Sequence, residues 1–566
     1  MSSVMTSSGK LVVLTSLKQT LDHSIVRIDR KKTADQNNVH MIAGGPYAGI
    51  IVNRMERNAQ IALKSDVSIS FNVSLTDNAG QKFQEKRQLH FQLEEGVDIR
   101  VGKDVVHKFF RALLTQLPKG YICFLKQSMV LLKEDFLEIK SVMIDFARVK
   151  GTEQISIPEL NECDSPMPEG ETTIAKVREL LERAYPNGLL VTTVMYHLKC
   201  TREEAMRFLS ELESSGHVKR EGNEWVRVDG RKTHETVEMN RRALVSMDNF
   251  HNQPTIAIIS CLFEEKQAID LLISNPSTIY RYKSGGDSNV YTLGTIGAHR
   301  VVATKLAVIG DSREETTSAG SITTRLLGNY PSIQHVFIVG VGGAVPHFTD
   351  SSRHARLGDV VVSTSHPHQY VYAHDLIVDR ETEAITGFAV KTFDAEDRTI
   401  EEIVLSDRLE LLEKWNMATK EAIQNLSSGD VEWTAPHEST DVLALTVADG
   451  KVVVVPHPDE ERDGPRIHLG AIAAMATMQP KHDFFNETAK LKEEFLERYR
   501  VRSLDAGFEP VVSAVQGNCI KSWCMVRGIA DYSNGKSRAG KLWQAHAAVR
   551  AATMTRCLIE RIPTSQ

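Results

Sequence analysis

The sequence predicts a multidomain chain. An α+β region covers 1–150, a small helical region closed by a hairpin covers 169–232, and an α/β region on a central mixed sheet covers 254–562. Three observations predict it. The chain has 566 residues, more than one hydrophobic core organises. Two polar stretches without hydrophobic periodicity divide it. One, at about 150–168, carries Pro158, Pro166 and Pro168; the other, at about 229–253, ends before Pro254. The hydrophobic period also changes across these stretches, from mainly two, to 3.6, to an alternation of both.

Composition bounds the function classes. At 42% hydrophobic and 25% charged residues the chain has enough apolar material for several cores, against wholesale disorder. With 67 Lys plus Arg against 73 Asp plus Glu the net charge is −6, so nucleic acid binding would need a local basic patch. No run of about 18 uncharged apolar residues exists to span a membrane, and the N-terminus lacks the pattern of a secretory signal. Seven scattered cysteines, with no CxxC and no zinc-type spacing, fit a reducing compartment: cytoplasmic, with the nucleus as the alternative. No metal site is expected.

In the first region Val67, Ile69, Phe71, Val73 and Leu75 alternate at period two, with a turn expected at Asp77–Gly80. Leu89, Phe91 and Leu93 repeat the alternation. Val105, Val106, Phe109, Phe110, Leu113 and Leu114 have helical spacing, stopped at Pro118-Lys119-Gly120. Tyr121–Leu125 reads as a further strand. The expected role of this region is protein interaction.

In the second region Ile174, Val177, Leu180 and Leu181 form one helical face, and Leu189–Leu198 reads as a short second helix. Thr201 with Glu204 predicts a capping box opening a third helix, whose apolar face is Ala205, Phe208, Leu209 and Leu212. Residues 217–228 read as two strands about Gly222-Asn223. Three helices and a hairpin resemble a winged helix, a helix-turn-helix variant. From Thr201 to Ser215 two basic residues, Arg202 and Arg207, face four acidic ones, Glu203, Glu204, Glu211 and Glu213. That balance argues against DNA and for a protein partner through this region or the first.

In the third region strands and helices alternate. Thr255–Ser260 is a buried-strand run leading into a helix at 264–272, and Val301–Val308 is a strand before a helix at 317–327. Val336–Val341 is a strand running into a Gly-rich turn, Gly342–Pro346. Trp523–Ile529 is a strand, and Leu542–Ile559 a closing helix. Such alternation predicts a largely parallel sheet, with ligands at the C-terminal ends of its strands.

Four segments stand in order: AIISCLFEEKQAI (257–269), VGVGGAVP (339–346), RLGDVVVS (356–363) and VRGIADYSNG (526–535). They resemble the signature of the nucleoside phosphorylase and methylthioadenosine/S-adenosylhomocysteine nucleosidase superfamily, as do PRIHLGAIAAM (465–475) and KLWQAHAAVRAATM (541–554). The resemblance implies cleavage of an N-ribosyl bond in a small-molecule nucleoside or nucleotide, without a cofactor, by a homo-oligomer. Such cleavage wants an acid at purine N7, polar groups on the ribose hydroxyls and a nucleophile under the anomeric carbon. On the family pattern Asp531 is the purine-side acid. Glu509 is the ribose-binding carboxylate, preceded by Phe508 where a Met is usual, and Glu265 is the carboxylate that activates water.

Two departures bear on the reaction. Phosphorylases favour Arg in the N-terminal loop, where this chain has Glu265, because phosphate wants a cation. Many relatives carry Ser or Thr where this chain has Val341, flanked by Gly340, Gly342 and Gly343, whose backbone N–H groups could hold a nucleophile. Both rank hydrolysis above phosphorolysis. A third departure concerns the base. Where nucleosidases stack an aromatic residue on the purine, Met478 is the candidate contact. Tyr370, Tyr372, His366 and His368 read as a loop that either contacts substrate or is plain surface. Three readings stand: an N-ribosyl hydrolase, a phosphorylase, and a non-catalytic nucleoside-binding scaffold.

Because its third helix is net acidic, the 169–232 region is expected to bind duplex DNA poorly at physiological salt. Tight binding that weakens steeply with salt in an anisotropy titration would contradict this.

Overall fold

The computed structural model describes residues 11–20, 22–31, 39–44, 47–54, 65–76, 82–115, 121–149, 172–228, 253–280, 290–307, 313–348, 350–379, 382, 384–426, 431–447, 451–458, 462–476, 485–535, 537 and 540–564. The expected turns at 77–80 and 118–120 and most of both linkers lie outside these residues. The chain divides into two compact units.

The first unit comprises Met1–Leu160, His347–His354 and Val442–Arg462. Among the described residues its sheet has nine strands, in the order Ala444–Val447, Lys451–Val454, Val67–Thr76, Lys82–Leu93, Ile139–Arg148, His23–Lys31, Leu11–Gln19, Ile50–Asn53 and Val39–Ile42. The alternation reads through to burial: Val67, Ile69, Phe71 and Val73 point inward, as do Leu89, Phe91 and Leu93. Helices Ile99–Thr115 and Tyr121–Glu134 supply Phe109, Phe110 and Phe124. Phe71 meets Phe110 at 5.0 Å between centroids, and Phe91 meets Phe109 edge-on at 5.4 Å.

Two expectations change here. Tyr121–Leu125 opens a 14-residue helix instead of forming a strand. A five-residue apolar run has no period of its own, and the burial of Phe124, Leu125, Ser128, Met129, Leu131 and Leu132 shows the helical one. The unit also extends beyond 1–150, because 347–354 and 442–462, which the sequence assigned to the third region, belong to it.

The second unit comprises Asn161–Pro346, Ala355–Asp441 and Asp463–Gln566. Its first part has helices Ile174–Ala184, Val191–Leu198 and Arg202–Ser214, with a small sheet in the order Leu189–Leu190, Glu224–Arg227, Val218–Glu221. Leu189 and Leu190 pair with Trp225 and Glu224 instead of opening the second helix. Val177, Leu181, Ala184, Val194, Ala205, Leu209 and Trp225 fill the core. The capping box forms: Thr201 N donates to Glu204 Oε2 at 2.9 Å, and Glu204 N to Thr201 Oγ1 at 3.3 Å.

The rest is built on a mixed sheet of 11 strands among the described residues. Its central run is parallel, with His299–Lys305, Ile256–Ser260, His335–Ala344 and Ser522–Asp531 side by side. Val360–Ser363 then pairs antiparallel to Ser522–Asp531. Helices Phe263–Leu272, Arg408–Leu426 and Lys541–Ile559 pack on one face through Ala268, Leu411, Trp415 and Ala552. Arg313–Asn329 and Glu509–Gly517 pack on the other through Leu326, Val511 and Val512.

His546, in the closing helix, is 8% exposed. Its Nδ1 pairs with the Trp433 carbonyl at 3.0 Å. Burial, reinforced by Arg550, pushes its imidazole from 6.5 down to about 4. The unfolded chain therefore binds this proton more readily. The stability that neutral His546 supports is complete above pH 6.5 and is lost as pH falls toward 4, by about 3 kcal/mol in full. Chemical denaturation across this window should show the loss, and His546→Gln should remove that part of the slope.

Candidate functional site

Glu265 sits in the first turn of helix Phe263–Leu272, directly after strand Ile256–Ser260, and is 3% exposed. Its Oε2 accepts from Cys261 N and Leu262 N, both at 2.8 Å, so it closes the helix N-terminus on which it stands. Its Oε1 accepts from Val341 N at 2.8 Å, which joins that turn to strand His335–Ala344. Gly340 makes the approach feasible: a Cβ there would lie 2.4 Å from Oε1. The neighbouring Glu264 keeps an exposed edge. Burial of the rest, together with Glu182 and Glu265, pushes its carboxyl up to about 7. The sequence shows Glu264 as half of an acidic pair opening the helix and gives it no catalytic role; its carboxyl is thus raised toward neutrality.

The Gly-rich segment differs from the expected turn. The strand continues to Ala344, with Gly342 and Gly343 paired to Ile529 and Asp531, and Gly343 and Ala344 also paired to Leu504 and Ser503. The glycines serve close packing instead of forming an open cradle of N–H groups. A Cβ on Gly342 would meet Ser503 Oγ at 2.7 Å, and one on Gly343 would meet Asp531 Oδ1 at 2.5 Å. The Val341 side chain is buried with Ala530, Trp543, Ala547 and Ala548.

Asp531 ends strand Ser522–Asp531 and is 4% exposed. Its Oδ1 accepts from Ser533 N and Gly535 N at 2.8 Å, and its Oδ2 from Ser537 N at 2.9 Å. The carboxylate therefore folds the loop that follows it. Glu265 and Asp531 abut the same strand, at Gly340–Val341 and at Gly343, about 10 Å apart along it at the usual rise.

Glu509 lies on a different element. It opens helix Glu509–Gly517, and its Oε1 accepts from Lys391 Nζ at 2.9 Å and Ser513 Oγ at 3.1 Å. Among the described residues Oε2 has no protein donor. Phe508 is buried, with the Arg527 guanidinium 4.2 Å above its ring. Met478 lies outside the described residues.

A buried network that sequence reasoning missed supports this side. Arg527 Nη2 and Nε donate to Asp505 Oδ2 at 2.9 and 3.2 Å, and both side chains are fully buried. Asp505 Oδ1 accepts from Gly507 N and from the Tyr370 hydroxyl, and that hydroxyl accepts from Phe508 N at 2.7 Å. Burial and Asp505 push the Tyr370 phenol well upward, which keeps it a donor. Tyr370 and Tyr372 stand on strand Tyr370–Val378 instead of in a loop. His366 and His368 precede that strand and pair with Glu401 and Asp394. The signal available in the sequence was a lone Arg inside the apolar run WCMVRGIA, which demands a buried acid.

Among the described residues no cluster of His, Cys, Asp and Glu suits a metal ion, and no helix is long and apolar enough to cross a membrane. Residues 163–229 match the family model of a winged helix-turn-helix domain. No curated protein matches the chain by sequence. Among solved structures the chain is similar to the 5′-methylthioadenosine/S-adenosylhomocysteine nucleosidase of Neisseria meningitidis in complex with methylthio-immucillin-A. The identity is 13%, covering 54% of this chain and 99% of that one, with a TM-score of 0.31. It is similar to the futalosine hydrolase of Helicobacter pylori at 13% identity, 55% and 99% coverage and a TM-score of 0.30. The Campylobacter jejuni 5′-methylthioadenosine/S-adenosylhomocysteine nucleosidase gives 13%, 54%, 99% and 0.30.

Glu265→Gln tests the closure directly. An amide can keep its oxygen toward Cys261 and Leu262 only by turning its NH2 against Val341 N–H. Leaving a buried backbone donor unpaired costs about 1–3 kcal/mol, so the variant should lose about that much stability in chemical denaturation.

Proposed function

We propose that the 254–562 region is an N-ribosyl hydrolase acting on an adenine nucleoside or nucleotide. The observation that carries this reading is the placement of Glu265 and Asp531 against one four-residue stretch, Gly340–Gly343, of strand His335–Ala344. They stand at the C-terminal ends of parallel strands, where α/β sheets bind ligands. Glu509 supports the reading, since its Oε2 is available to accept from ribose hydroxyls while Lys391 holds Oε1. Asp531 is the acid toward the purine, and Phe508, Val341, Gly342, Gly343 and Met478 are the surrounding substrate contacts carried over from the family resemblance. For Asp531 to reach a base, the backbone groups of Ser533, Gly535 and Ser537 must release it, so opening of that loop belongs to the proposed reaction.

Water is the proposed nucleophile. A phosphate would meet the Glu265 carboxylate, and the ammonium of nearby Lys305 is spent on three backbone carbonyls. A second reading, a nucleoside-binding protein without turnover, is favoured by one observation: both carboxylates are satisfied by backbone N–H groups, three each.

The test is incubation of the chain with a panel of adenine nucleosides and nucleotides, with and without phosphate, followed by chromatography. Free base is expected together with the sugar bearing a free anomeric hydroxyl, ribose from a nucleoside and ribose 5-phosphate from a 5′-nucleotide, independent of added phosphate. Ribose 1-phosphate would refute hydrolysis, and no release from any panel member would favour the binding reading. Asp531→Asn should lower turnover by the general-acid contribution, about 10²–10⁴-fold, with little change in KM. Glu509→Gln should raise KM as well.

A further inference from the structure

The winged-helix segment is docked on the α/β part of its own unit through a buried cation. Lys305 ends strand His299–Lys305 and is 1% exposed. Its Nζ donates to the carbonyls of Arg183 at 3.0 Å, Tyr185 at 2.9 Å and Leu306 at 2.9 Å. Arg183 and Tyr185 lie at the C-terminus of helix Ile174–Ala184, where carbonyls lack helical partners and the helix dipole is negative. A lysine is therefore seated where a helix end attracts positive charge. Burial pushes its ammonium down to about 8; Cys261, Glu265 and Glu264 oppose that shift and Lys266 adds to it, and the group remains charged at neutral pH.

Other contacts surround this one. The Tyr185 ring meets Phe263 edge-on at 5.4 Å. The Arg227 guanidinium lies 4.8 Å over the Phe263 ring and donates to Glu182 at 3.0 Å. Lys541 Nζ reaches Glu179 Oε2 at 2.5 Å. The places where these contacts land matter. Phe263 opens the helix that carries Glu265, and Lys541 opens the helix that follows the loop folded by Asp531. Thus the docked helix touches the helix that bears Glu265 and the helix that follows the loop folded by Asp531.

We propose that the winged helix is a cap on the α/β region, and that Lys305 is the positioning residue through which its docking orders the segment carrying Glu265. The site is taken from the function proposed above, but the cap is read without turnover. An absence of base release leaves it standing.

The experiment is backbone hydrogen exchange on the full chain. Lys305→Met keeps length and apolar bulk but removes the ammonium that donates to the Arg183, Tyr185 and Leu306 carbonyls. Lys305→Arg restores N–H donors. In Lys305→Met, exchange should quicken about tenfold or more in 174–190 and at 261–266, where the Cys261 and Leu262 amides report on Glu265. Strands 335–344 and 522–531 should stay as slow as in the wild type, and Lys305→Arg should lie close to the wild type.

Unchanged exchange in 174–190 overturns the docking role. Quickening in 174–190 with 261–266 unchanged overturns the coupling to Glu265. Failure of Lys305→Arg to rescue assigns the effect to packing and overturns the donor role. If Lys305→Met loses protection throughout the sheet, Phe263→Leu decides: it removes the ring that meets Tyr185 and Arg227 while leaving Lys305 in place, and should quicken the same two segments, and no change there overturns the proposal.

Discussion

Glu265 holds together parts of the chain that no covalent connection brings near. One carboxylate accepts from three backbone amides, two at the start of its own helix and one on strand His335–Ala344, 76 residues away. Asp531 repeats the device at the end of the neighbouring strand, closing the loop that leads into the last helix. Asp359 does the same for a third segment, accepting from Arg356 N, Arg466 N and His468 Nε2 while fully buried. Buried carboxylates here do the work that backbone ladders cannot reach. Each is acceptable in a dry environment because its oxygens are met by fixed donors.

This arrangement limits the chemistry of the ends of the parallel strands. A carboxylate that shapes a loop can take part in proton transfer only by giving up part of that loop's support. In the function proposed above, proton transfer by Asp531 therefore draws on release of the Ser533, Gly535 and Ser537 amides that hold its carboxylate. Glu264, with its raised proton affinity and exposed edge, is free of that constraint.

Much of the fold was legible in the sequence because the period of its apolar residues is enforced by burial. The alternation at Val67–Val73 and the capping pair Thr201 and Glu204 were both readable, since each depends on residues close in sequence. What escaped depends on partners far away. Tyr121–Leu125 carries too few residues to show a period. The Gly342–Gly343 pair has the composition of a turn, but the strands and loop packed beside it require residues without side chains within a strand. Of the candidate site, Glu265 and Asp531 were nominated through the order of their segments. The pairings of Glu509 with Lys391, and of Asp505 with Arg527 and Tyr370, cross sequence separations of 22 to 135 residues and, the lone Arg527 in its apolar run aside, left no local trace.

The sheet of the first unit is assembled from distant pieces of chain, and this sets an order of events in time. Strand Val67–Thr76 has its second neighbour in Lys451–Val454, where Val453 and Val454 pair with Val73 and Asn72. A ribosome that has finished the strand ending at Arg148 must add about 300 residues more before that neighbour emerges, which takes about 15–60 s at ordinary elongation rates. Throughout that interval the nascent sheet presents an uncovered edge with open backbone donors and acceptors, the feature through which strands recruit foreign chains. Synthesis of this protein thus has a built-in waiting period, during which holding by a chaperone, or slow passage through the second unit's sequence, would decide how much of it reaches the native state.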